Sequence, residues 1–171
     1  MDLMDKLDKK QIREFFSKGW MTHDATWLYL CMQELGAEKA NRINKEAVKS
    51  MAGIEIFRIL KLMGRGKGPI TAYEDLKEII DTGYRLIQPE FMKMHYGFPG
   101  RNVMRGGFDE CFAYEGMKRF GMIDSYQCGI IIRTRSWLEG LGVGYEMIPE
   151  VDGCLMHTYG KCDIEFRFYL D

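Results

Sequence analysis

From residue 162 to residue 170 the chain alternates without interruption. Ile164, Phe166, Phe168 and Leu170 fall on one side, and Asp163, Glu165, Arg167 and Tyr169 on the other. A period of two with one apolar face is the pattern of a half-buried strand. Such a strand needs partner strands beside it and a second layer over its apolar face. The partners are expected in three further segments read as strands: Val103–Phe108, loosened by Gly106 and Gly107, Tyr145–Ile148, and residues 153–158, joined to the last strand by a turn at Tyr159-Gly160. Residues 91–96 also alternate, and 98–102 read as the turn into Val103.

The covering layer is expected from the first half, which reads helical. Residues 8–18 carry Ile12, Phe15 and Phe16 at helical spacing, and Gly19 breaks the pattern. Asp24 then reads as the N-cap of a helix that Gly36 stops, and a short helix over 37–43 follows. The longest helix is predicted over 45–63, with Val48, Met51, Ala52, Glu55, Ile59 and Leu62 inward. Thr71 to Glu74 has the form of a capping box and opens a helix to about residue 85. Asp109 caps a helix carrying Cys111 and ending at Gly121, and a last helix spans 129–141. The expectation is one α+β domain over residues 1–171, a helical N-terminal half packed on a C-terminal antiparallel sheet. A chain of 171 residues with 46% hydrophobic content can bury a core of that kind.

Four of the five cysteines lie in the last third: Cys111, Cys128, Cys154 and Cys162. Placed on a helix, ahead of a helix and on either side of a hairpin, they can converge on one metal or iron–sulfur cluster, since soft thiolates select zinc and iron–sulfur centres. No C-x-x-C pair is present, and the alternative reading is four small buried hydrophobes. His157 lies between two of the cysteines and can replace one of them as ligand.

Other features narrow the function. With 24 basic and 25 acidic residues the net charge is −1, which leaves no basic field for nucleic acid. No apolar run reaches the length of a membrane span, and the first residues lack a signal-peptide core, so a cytoplasmic protein with reduced thiols is expected. The glycine-rich run from Gly64 to Pro69 follows a helix and lacks the Lys-Ser/Thr ending of a phosphate loop. Glu55 places a carboxylate on an apolar stripe, where it must be paired, hydrogen-bonded, metal-bound or protonated; Arg58, three residues on, is the expected partner. Thirteen methionines favour an adaptable interior, as around a ligand cavity.

Several blocks resemble a known family. Trp20-Met21-Thr22-His23-Asp24-Ala25-Thr26-Trp27 is similar to a Trp-x-x-His-Asp-Gly-x-Trp block, with Ala25 in place of Gly. Residues 34–40 resemble the Tyr-Gly-x-x-x-Ala stretch that follows it. Residues 54–59 resemble a Glu-Ala-x-Arg-Ile block, and Cys162-Asp163-Ile164-Glu165-Phe166 resembles a Cys-x-Trp-Glu-Phe ending. Together these resemble an uncharacterised prokaryotic family, frequent in anaerobes, that is related to the L-2-amino-thiazoline-4-carboxylate hydrolases. The cysteine-rich tail is similar to that of 4-vinyl reductase domains, which are small-molecule-binding α+β modules. The resemblance implies that Cys111, Cys128, Cys154 and Cys162 match the family's cysteines, although its Cys-Pro-Pro-Asp insert is missing here.

Three chemistries follow. The first is a cysteine-ligated iron–sulfur cluster or zinc, with a redox or enzyme partner protein. The second, implied by the hydrolase resemblance, is C–N hydrolysis of a small cyclic amidine. Cys111 or Cys128 would be the nucleophile, His23 the proton carrier, Asp24 its orienter and Glu55 the activator of water, with Arg101, Arg105 or Arg133 clamping a substrate carboxylate. The third is a small-molecule or tetrapyrrole-binding module with His95 or His157 as axial ligand.

Overall fold

The computed structural model describes Asp2 and residues 4–170. Two long helices, α1 (Lys9–Leu35) and α2 (Ala37–Leu62), form a hairpin about Gly36, whose φ of 80° suits a residue without Cβ. α1 is continuous where two helices were expected. Asp8 and Gln11 close a capping box at its start, and an exposed Gly19 costs only about 1 kcal/mol against alanine. Asp24 therefore caps nothing and sits mid-helix. The expected division of α2 at residue 44 is absent for a similar reason: Asn44 is buried in the helix rather than ending it.

A loop leads to α3 (Tyr73–Ile87), whose N-cap is Ala72 without a side-chain bond, so the expected capping box does not form. A 3-10 turn over Glu90–Met92 replaces the start of the predicted strand. Strands β1 (Met94–Gly100) and β2 (Val103–Phe108) then form a hairpin. After α4 (Phe112–Arg119), a 3-10 turn at Ile123–Ser125 and α5 (Ile130–Gly140) comes β3 (Tyr145–Ile148). Residues 155–159 are a short helix, α6 (Leu155–Tyr159), not the expected strand. The chain closes with β4 (Cys162–Phe168).

The sheet is antiparallel throughout, in the order β1-β2-β4-β3. β4 thus lies inside it, and its alternation is as expected: Cys162, Ile164, Phe166 and Phe168 are buried. The covering helices supply Ile56, Leu60, Leu76, Ile80, Trp137 and Leu138 to one core. α3 crosses Trp137 so closely that a Cβ on Gly83 would stand 2.8 Å from the indole. The protein is α+β, with its helices mostly N-terminal and the sheet in the C-terminal half. α1 leaves Phe15, Phe16, Trp20 and Leu30 exposed. Among the described residues no helix is long and apolar enough to cross a membrane.

Candidate metal centre

The four cysteines occupy the junction between the main core and a second one built by Leu28, Met32, Met117 and Tyr126. Cys111 and Cys162 belong to the first, Cys154 to the second, and Cys128 packs on both. Their placement follows one local rule. Cys111 is the N-cap of α4 and Cys154 the N-cap of α6, while Cys128 lies one residue ahead of the Gly129 N-cap of α5. In each case the amides two and three residues on favour the thiolate: Ala113 and Tyr114 for Cys111, Ile130 and Ile131 for Cys128, Met156 and His157 for Cys154. Neither N-cap cysteine closes a side-chain capping hydrogen bond. Cys162 opens β4 opposite Phe108 of β2, and the Phe108 amide plays the same part for it.

The thiols sense one another. Cys128 and Cys162 are both raised by charge on Cys111 and Cys154, and Cys162 also by Cys128. The larger effect is desolvation, which pushes Cys128 up to about 11 and Cys162 up to about 12, and raises Cys111 and Cys154 as well. All five cysteines are free. Among the described residues, no three His, Cys, Asp or Glu side chains are gathered tightly enough to hold a single metal ion.

Tyr126 completes the site. It is buried, and desolvation together with charge on Cys128, Cys111 and Cys154 raises its hydroxyl well above the ordinary range, with the Gly129 amide acting the other way. Asn41 of α2 anchors the segment that carries it. Its Nδ2 donates to the Ser125 carbonyl at 2.7 Å, and its Oδ1 accepts the Gln127 amide at 3.0 Å. Neither residue was among the sequence candidates. A buried asparagine on a helix and a tyrosine two places before a cysteine were the only signals for them.

No protein-family model, curated protein or solved structure matches the chain.

The other candidates lie elsewhere. His23 and Asp24 are adjacent on the exposed side of α1. Glu55 faces α5 rather than Arg58, and both its oxygens are engaged: Oε2 accepts Arg133 Nε at 2.7 Å and Trp137 Nε1 at 3.1 Å, and Oε1 accepts Arg133 Nη2. The expected water activator and one expected clamp therefore neutralise each other. Arg105 pairs with Glu165 at 2.6 Å across the β2–β4 ladder. Arg101 is exposed at a shallow open depression of about 520 Å³ beside Lys77 and Phe98.

The histidines are also occupied. His95 binds Asp109 through Nδ1 at 3.1 Å and Asp163 through Nε2 at 3.2 Å. His157 lies on α6 and pairs with Asp124 at 3.0 Å. The hairpin expected to join Cys154 to Cys162 is replaced by α6 and the left-handed Gly160, which still return the chain so that the two sulfurs interact.

Proposed function

We propose that Cys111, Cys128, Cys154 and Cys162 hold an iron–sulfur cluster, and that the protein is a cytoplasmic redox or accessory protein working with a partner enzyme. The observation that carries this reading is the shared arrangement of the thiols. They come from four separate parts of the chain that meet where the two cores join, and stand within electrostatic reach of one another.

Four soft thiolates are a donor set for a polynuclear cluster as well as for a lone zinc ion. A cluster fills a larger space, and hydrogen bonds to its sulfurs tune its potential. The apolar junction of the two cores keeps water away. Loading requires all four thiols to lose their protons, so uptake of metal becomes easier as pH rises.

The thiol environment gives the hydrolase reading less support. A catalytic cysteine needs a depressed pKa, and these thiols are raised by burial. The test is anaerobic reconstitution with iron and sulfide, followed by metal and sulfide analysis. A colourless chain that takes up neither overturns the proposal.

A further inference from the structure

Between the sheet and helices α3 and α5, directly beside Cys162, lies a cavity of about 70 Å³. Its floor is made by buried Met104, Ile131 and Phe166, and its mouth by half-buried Ile87, Met92 and Met94. The polar groups lining it are few. Tyr84 and Thr134 are buried there and share one hydrogen bond of 2.8 Å between their hydroxyls. Arg133 also reaches the cavity, with its guanidinium held by Glu55.

We infer that this cavity binds a small, uncharged, mainly apolar molecule carrying one carbonyl or hydroxyl oxygen, seated against Cys162. Three arguments define the class. The volume exceeds the roughly 10–15 Å³ a single water needs, yet is far too small for a macrocycle such as a tetrapyrrole. Three methionines give walls that adjust to the shape of a ligand. Two hydroxyls joined by one hydrogen bond keep one O–H in hand, and it can be donated to a ligand oxygen. A carboxylate is disfavoured, because the charge of the one cation present is already paired with Glu55. The binding itself does not depend on the metal reading. What rests on that reading is the consequence: a ligand against Cys162 alters the surroundings of the cluster, so occupancy reports on the small molecule.

The test is a methyl-NMR titration of the reduced, metal-free chain with cyclopentanone, repeated on the reconstituted protein. Saturable shifts are expected at the Met104 and Ile131 methyls, and none with cyclopentanecarboxylate. Thr134→Val should weaken cyclopentanone roughly fivefold, the equivalent of one neutral hydrogen bond of about 1 kcal/mol. Met94→Trp, placed at the half-buried mouth, should abolish binding while leaving the fold intact. Absence of saturation, equal binding of the carboxylate, or full affinity in both variants overturns the inference. If methyl shifts saturate but the chain takes up no iron, the metal reading fails and this one stands.

Discussion

Cys111 and Cys154 hold the same position on two different helices: each is the N-cap, and the amides two and three residues on act against the desolvation that raises its thiol. Charge on Cys154 raises Cys111, so the two helix starts converge. Cys128 has the same amide pattern. Partial positive charge at three chain segments is thus aimed at a region that would otherwise repel thiolates, an arrangement suited to a cluster that must hold negative charge away from water.

The raised thiols make the metal-free protein sensitive to alkali. A group whose folded pKa lies above its unfolded value contributes stability below the unfolded pKa and loses it as pH rises through the folded one. For Cys128 that window runs from 9.0 to about 11, and for Cys162 from 9.0 to about 12. Stability of the reduced, metal-free chain should therefore fall above pH 9.0. Cys128→Ser, which does not ionise, should recover about 2 kcal/mol of that fall by pH 10.5. Urea midpoints at pH 7 and pH 10.5 measure it, and equal pH dependence in the two proteins would count against the burial of this sulfur.

Asn41 ties the Tyr126–Cys128 segment to α2 through two hydrogen bonds. Asn41→Leu removes both from a buried position and should cost about 2–3 kcal/mol in the metal-free chain. It should also lower iron retention although no ligand has changed. Chemical denaturation with parallel iron analysis tests this. Thr26→Ala on the exposed side of α1 serves as the neutral control.

Glu55 and Arg133 bridge α2 and α5, and Trp137 adds a third bond to the same carboxylate. Either Glu55→Leu or Arg133→Leu alone leaves a half-buried charge without its partner, at a cost of roughly 2–3 kcal/mol, less than for a fully buried pair. The double variant should cost less than the sum of the two, with a coupling of about 1–2 kcal/mol. A double-mutant cycle decides it, and strict additivity would mean that the pair does not interact.

Gly107 faces Asp163 across the β2–β4 ladder, where a Cβ would fall 1.7 Å from the Cys162 carbonyl oxygen. Gly107→Ala therefore forces β2 away from Cys162 and should cost 3 kcal/mol or more, on the order of the severe end of overpacking. Gly97→Ala on β1 meets nothing within 4 Å and serves as the control. If the two variants melt together, the close approach at Cys162 is not as described.

The closing strand was legible because one face of β4 is buried along its whole length, so its residues alternate as the sheet demands. Helix boundaries were less legible. Gly19 and Asp24 are local break and cap signals, but they lie inside a helix fixed by the Asp8–Gln11 box and by packing on α2. The strand expected over 153–158 is instead a short helix over Leu155–Tyr159 that the left-handed Gly160 ends. The proximity of the four cysteines was expected from element placement, although by a different path between Cys154 and Cys162. Tyr126, Asn41 and the Arg133 partner of Glu55 depend on contacts across tens of residues, which spacing along a sequence does not encode.

The most direct measurement is anaerobic reconstitution of the wild type and of the four single Cys→Ser variants at positions 111, 128, 154 and 162, read by visible absorption with iron and sulfide analysis. A cubane held by four thiolates predicts about four iron and four sulfide per chain, a broad charge-transfer band, and loss or marked weakening of both in every variant. A wild type that stays colourless and binds no iron, or a band that survives in all four variants, contradicts the claim that these sulfurs share one centre.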